Sequence, residues 1–263
     1  MRIGLFLLLG LVFFALAVPR LSSEASPPRR LLIVGIPAWG PSWLSQDGKR
    51  IPAGCGPEAA RLLLWYWATL FNMDLVRDDP EGALRALHSL MDTVTVHWEG
   101  VDQGLTWPWN FSRGLEVYAQ THLPQVRVRS LSGSREEVFA HAVELLQSGN
   151  PPVLLFDWVG LGGIFPNHYA LVVGYDLREE ELVVNPGWGY SFQAVPFTHG
   201  EIAPVQLFWL EFPEPKVPRR PLALPLETCP TVRSYGKDPK NIPWCGPTRA
   251  EELGSGLVLL LWD

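Results

Sequence analysis

Apolar residues at Ala59, Leu62, Leu63, Tyr66 and Leu70 recur at helical spacing, so Pro57 to Asn72 is predicted as a helix. Its proline falls in the first turn, where the missing N–H costs nothing. Asp79 to Met91 and Ser134 to Gln147 carry the same period, and Ser134 with Glu137 has capping-box spacing. From Pro151 the period changes. Val153 to Trp158, His168 to Tyr175, Glu181 to Val184, Phe192 to Val195 and Val205 to Phe212 are short runs of Val, Leu and aromatics between turn residues. They predict successive strands. Leu31 to Ile36 reads as an earlier strand, followed by a loop carrying Trp39, Trp43 and Gln46. The stretch with Trp107-Pro108-Trp109 and Gly114 to His122 has a mixed pattern and is left unassigned. A helical half followed by an antiparallel sheet half is an α+β arrangement.

The ends of the chain are organised differently. Met1-Arg2 precedes an apolar run from Ile3 to Val18 with Ala15-Leu16-Ala17 inside it, the form of a secretory signal. Residues 1–17 are therefore expected to be a signal peptide and 18–30 a polar linker. Residues 31–212 are expected to form the domain, and 213–263 a Pro-rich C-terminal extension outside it. Left uncleaved, the same apolar run would serve as a membrane tether, because it approaches the ~17 to 25 residues of a spanning helix. Either way the protein is expected to work outside the cytoplasm, secreted or anchored.

With 263 residues, 47% of them hydrophobic, the chain can bury a sizeable core. A net charge of -6 and basic residues that gather only in short pairs such as Arg29-Arg30 and Arg219-Arg220 exclude a nucleic-acid surface. His88, His97, His122, His141 and His199 show no metal-ligand spacing, and there is no phosphate-cradling loop, so no metal or other cofactor is predicted. The three cysteines matter more. In an exported chain two should pair, and Cys229 and Cys245 lie close together in the Pro-rich tail, which leaves Cys55 free.

Cys55-Gly56-Pro57 opens the first predicted helix. A thiol attacks as its thiolate, which a helix N-terminus and a neighbouring imidazole both favour. More than a hundred residues later come Asn167-His168-Tyr169-Ala170, opening a Val-rich strand, and then Asn185-Pro186-Gly187-Trp188-Gly189. The order is Cys, His, Asn, with the last two on neighbouring predicted strands. Cys245-Gly246-Pro247 repeats the first triplet near the end of the chain, where too little sequence follows to supply a His and an Asn. It reads as half of the disulfide followed by a turn.

This set resembles the papain-like cysteine peptidases, and most of all the bacterial group related to the double-glycine leader peptidases. The likeness spans about Leu31 to Phe212. It implies a papain-like fold in which Cys55 is the nucleophile and His168 the base that becomes the imidazolium. Asn185 would orient the imidazole, and Trp188 would shield the Asn–His hydrogen bond. Asn185 stands where the leader-peptidase relatives more often have Asp. Gln46, nine residues before the nucleophile, is the candidate side chain for the oxyanion hole, alongside the Cys55 N–H.

The expected function is an exported thiol hydrolase that cleaves a peptide or related amide through an acyl-enzyme on Cys55, with a peptide or protein as its partner. The same thiolate serves acyl transfer or cell-wall amide cleavage. A different class is a catalytically silent scaffold that binds peptides or cell-wall glycans, with Trp39, Trp43, Trp107 and Trp109 lining its cleft; the bland alternative for those indoles is core and lid packing.

Overall fold

The computed structural model describes residues 27–73, 75–76, 78–98, 100–158, 168–197, 202–213, 220–222, 229–234, 240–254 and 256–263. The expected signal peptide, most of the linker behind it, the Gly160–Gly163 loop and His199 lie outside the described residues.

In chain order, strand β1 (Arg30–Val34) is followed by the hairpin β2 (Trp43–Gln46) and β3 (Lys49–Pro52), then helices α1 (Cys55–Phe71) and α2 (Pro80–Leu90). A second hairpin, β4 (Val94–Trp98) and β5 (Val101–Leu105), leads into α3 (Pro108–Gln120), β6 (Arg127–Leu131) and α4 (Arg135–Gln147). Then come β7 (Val153–Trp158), β8 (His168–Asp176), β9 (Glu181–Asn185), β10 (Gln193–Pro196) and β11 (Ile202–Glu211). The chain ends in β12 (Arg220–Leu222), β13 (Thr231–Ser234), β14 (Asn241–Pro243), β15 (Arg249–Gly254) and β16 (Leu257–Trp262).

The result is an α+β fold: four helices among the described residues, packed with a large, mostly antiparallel sheet. Strand β8 is its axis. All nine of its residues are buried, and it pairs with β1 and β7 along one edge and β9 along the other. Helix α1 packs against β8 and is buried along most of its length, which explains its strongly apolar sequence. The core runs continuously from Leu62, Leu63 and Tyr66 of α1 to Leu171, Val172 and Val183 of the sheet. The Ser134–Glu137 capping box is present, with the Ser134 hydroxyl accepting from the Glu137 N–H and the Glu137 carboxylate accepting from the Ser134 N–H.

Two expectations need correction. The stretch carrying Trp43 and Gln46 is a strand rather than a loop, because it folds back on β3 through a turn at Asp47 and Gly48, both with positive φ. The C-terminal region is not an appendage. Strand β16 lies between β15 and β1 over the whole length of β1, and β13 joins the far side of the sheet in parallel with β10. Leu257, Leu259, Leu260 and Leu261 therefore belong to the main core. A Pro-rich start followed by an apolar run had concealed a strand that completes the domain. The Cys229–Cys245 disulfide is formed, and Cys55 is the free cysteine.

Candidate functional site

Helix α1 begins at Cys55 because Gly54 holds φ 88°, which a residue with a Cβ rarely adopts. A Cβ on Gly54 would also lie 2.8 Å from the Gly104 carbonyl oxygen of β5. Gly56 is constrained by its neighbour instead: a Cβ there would meet the Thr106 hydroxyl at 2.7 Å. Thr106 in turn bonds the Thr93 hydroxyl and accepts from the Tyr169 hydroxyl through its carbonyl. The triplet Cys-Gly-Pro is thus wedged between the β5–α3 connection and β8. The Cys55 sulfur is crowded by protein, although the residue keeps some exposed surface. Burial pushes its thiol pKa up, while the backbone N–H groups of Tyr169, Cys55 and Gly56 pull the other way and Glu58 adds to the rise.

His168 opens β8 and is buried. Its ring lies between Phe156, edge-on at 5.5 Å, and Trp188, tilted at 4.3 Å. Its Nε2 is 3.0 Å from the carbonyl oxygen of Pro186. A carbonyl only accepts, so Nε2 donates and a neutral ring carries its lone pair on Nδ1. Burial lowers the imidazole pKa to about 4, against a smaller upward pull from Pro186.

Burial therefore works against the thiolate–imidazolium pair expected from sequence, since it raises the Cys55 thiol pKa and lowers that of the His168 imidazole. Among the described residues no hydrogen bond joins Cys55 to His168; the sulfur reaches instead the N–H of Tyr169, the next residue along. Such contacts are often long before substrate binds.

Asn185 is close by but does not take the expected role. Its Nδ2 donates to the Pro37 carbonyl at 2.9 Å and its Oδ1 accepts from the Gly187 N–H at 3.1 Å. The reason is register. Asn185 pairs with Leu171, three residues along β8 from His168, or about 10 Å in an extended strand. The loop that follows β9, not its last residue, comes level with the imidazole. Asn185 ties that loop to the one after β1, and the Gly189 N–H, donating to the Trp39 carbonyl, adds a second tie. Trp188 covers the imidazole as expected, over a bond to the Pro186 carbonyl rather than to the Asn185 side chain.

Gln46 is not brought to the nucleophile. It is exposed at the tip of the β2–β3 hairpin, opposite Lys49, while the Trp43–Pro52 end of that hairpin leads to Cys55. Three strand residues, about 10 Å, separate the two ends.

No family model matches the chain, and no curated protein matches it in sequence.

One cluster escaped the sequence reading. Glu58 and Arg61, one turn into α1, form a buried ion pair at 2.6 Å. Glu58 also accepts from the Ser42 N–H, and the Arg61 guanidinium lies 4.1 Å from the Trp39 ring centroid. Burial raises the Glu58 pKa more than Arg61 lowers it. Two opposite charges three residues apart inside an otherwise apolar helix were the available signal. The pair fixes the Trp39–Ser42 loop against the first turn of the helix.

The four tryptophans expected in loops divide. Trp39 packs against the core and Arg61, whereas Trp43 is 45% and Trp109 66% exposed. Trp107 and Trp109 stack at 5.2 Å in the first turn of α3, immediately after Thr106. Among the described residues no three His, Cys, Asp or Glu side chains gather as metal ligands, and no helix is long and apolar enough to cross a membrane.

Proposed function

We propose that the protein is a thiol hydrolase of papain-like architecture acting on a peptide or related amide through Cys55. The observation that carries this reading is the pairing of Cys55, first residue of α1, with the start of β8, where the Pro186 carbonyl holds the His168 tautomer whose neutral ring carries its lone pair on Nδ1. In the proposed reaction His168 accepts the thiol proton at Nδ1 as sulfur bonds to the substrate carbonyl carbon, with the Cys55 N–H donating to the oxyanion. The imidazolium returns that proton to the leaving amine as the C–N bond breaks. Water, activated by the same imidazole, then hydrolyses the thioester and releases the acid. The Pro186 carbonyl fills the place that the family resemblance gave to Asn185, and it stabilises the imidazolium without supplying a full counter-charge. An acyl acceptor other than water turns the same cycle into transfer.

The test is hydrolysis of a quenched peptide library by the wild type, Cys55→Ala and His168→Ala, with circular dichroism to confirm folding. Turnover confined to the wild type, with a thioester trapped on Cys55 by mass spectrometry, is the expected result. Turnover that survives Cys55→Ala removes the reading.

A second reading, a silent scaffold that binds peptide or glycan, draws on the upward shift of the Cys55 thiol and the stack of the exposed Trp109 on Trp107. In that case none of the three proteins hydrolyses the library, and replacement of Trp109 weakens ligand binding.

A further inference from the structure

The loop that covers His168 continues outward as an aromatic chain. Trp188 lies 6.3 Å from Tyr190, and the guanidinium of Arg233 sits 5.1 Å from the centre of the Tyr190 ring. Tyr190, Ser191 and Phe192 on one side and Thr231, Arg233 and Asn241 on the other line an open groove of about 400 Å³. Its far wall comes from β13 and β14, which belong to the C-terminal region and are held beside β10 by the parallel pairing of β13.

The charge of this groove is unusual for the molecule. The chain carries a net charge of -6, yet the described residues that line the groove supply a cation, hydroxyls and an amide and no acid. Arg30, Arg61, Arg129 and Arg249 each meet a carboxylate. Among the described residues no carboxylate pairs with Arg233, whose exposed guanidinium rests on Tyr190. Stacking on an aromatic face holds the guanidinium plane while leaving its edge N–H groups free, the arrangement that accepts a carboxylate through two parallel hydrogen bonds. Tyr190 is itself fixed, its hydroxyl donating to the Gln193 side chain at 2.9 Å.

We infer that the Tyr190–Arg233 groove is a substrate subsite that binds a carboxylate of the peptide on the His168 side of the site. The inference rests on the hydrolase reading for the identity of its ligand. Steps of 4.3 Å from His168 to Trp188, 6.3 Å to Tyr190 and 5.1 Å to Arg233 set the reach. An extended peptide at ~3.3 Å per residue covers that path in no more than about five residues. The carboxylate is either an acidic side chain within that distance of the scissile bond or the peptide's own C-terminus. The C-terminal region then contributes a specificity residue as well as strands.

The test uses the full chain carrying Cys55→Ala, so that binding is read without hydrolysis. Acetyl-Gly-Gly-Glu-Gly-Gly-amide, its Gln counterpart, and acetyl-pentaglycine as free acid and as amide are titrated by calorimetry at low salt. The Glu peptide or the free acid is expected to bind about fivefold more tightly than its uncharged partner, the size of an exposed ion pair, and to lose that advantage at high salt. Which of the two shows the advantage identifies the source of the carboxylate. Arg233→Gln should abolish the preference and Arg233→Lys should keep part of it, with unchanged melting curves. Equal binding of charged and uncharged peptides, no binding at all, or a preference that persists in Arg233→Gln overturns the inference. A charge preference without hydrolysis in the active-site series removes the hydrolase reading and leaves the carboxylate subsite, whereas hydrolysis without a charge preference overturns the subsite alone, so the two readings are told apart.

Discussion

The Nε2 of His168 lies 3.0 Å from the backbone carbonyl oxygen of Pro186, and the side chain of Asn185, one residue earlier, is turned away to Pro37 and Gly187. A backbone atom that bonds the imidazole thus has its place set by the side chain next to it. Replacement of Asn185 by Ala should act at a distance of one residue: it leaves the Gly187 N–H and the Pro37 carbonyl without partners. That is expected to cost about 2 kcal/mol or more in stability and to lower kcat with little change in KM. Asn185→Asp keeps an acceptor for Gly187 but sets a carboxylate against the Pro37 carbonyl, so it should also be impaired. Denaturant titration and steady-state kinetics check both; an Asn185→Ala protein with wild-type stability and turnover contradicts the role.

Gln46 provides the matching negative control. Exposed at a hairpin tip, it is expected to tolerate Ala with kcat/KM changed by less than about twofold, whereas removal of an oxyanion donor costs about 100-fold or more. A large loss in Gln46→Ala would show that the hairpin moves to the site on substrate binding.

Burial of His168 gives the stability a defined pH dependence. An unfolded histidine takes up a proton near pH ~6.5, but the folded ring does so only near 4. Between those values the unfolded state binds more protons, so stability is complete above pH ~6.5 and falls as the pH drops towards 4. The full difference is about 3 kcal/mol. Glu58, with a raised pKa, contributes in the opposite sense, since protonation favours its folded state. The difference between wild type and His168→Gln in urea melts across this window isolates the histidine. Parallel curves for the two proteins would contradict a buried neutral imidazole.

Cys55 should respond in the same spirit. With the thiol pushed up and no imidazolium beside it at neutral pH, alkylation by iodoacetamide should be slow at pH 7. It should rise with an apparent pKa above the ~8.5 of an ordinary thiol. Mass spectrometry at Cys55 under non-reducing conditions reads the rate. An apparent pKa well below that value would mean that the ion pair forms at rest after all.

Much of this was legible in the sequence, and the parts that were not share a cause. Helices α1 and α4 and strands β7, β8 and β9 announce themselves through local period and capping, which need no knowledge of partners. The positions of Cys55 and His168 were legible for the same reason, each opening a strongly patterned element. The misreadings concern register and long-range pairing. Whether Asn185 or Pro186 meets His168 depends on which residue of β9 faces Leu171. The hairpin β2–β3 and the stretch from β4 to β6 are too short or too mixed for periodicity to decide. The last strand, β16, is an apolar run whose meaning appears only when β1, more than two hundred residues earlier, lies beside it.

That pairing makes the final prediction the most demanding. Strand β16 joins β1 at every position from Arg30–Trp262 to Val34–Val258, and Arg30 also reaches Asp176 of β8 and the ring face of Trp244. Removal of residues 249–263 strips β1 of one of its two partners and takes the buried Leu257, Leu259, Leu260 and Leu261 out of the core, each worth about 1.5–3 kcal/mol of burial. Their combined loss is comparable with the whole stability of a domain, about 5–15 kcal/mol, so the truncated chain should fail to fold. Opening the Cys229–Cys245 bond is milder. It releases a loop of 16 residues, about 3 kcal/mol in the chain-entropy account, and leaves β15 and β16 paired. The double Ser variant should therefore fold with a lower urea midpoint, and its loosened β13 should weaken the Arg233 subsite more than it weakens Cys55 chemistry. A protein truncated at residue 212 that folds with wild-type cooperativity would return the C-terminal region to the status of an appendage.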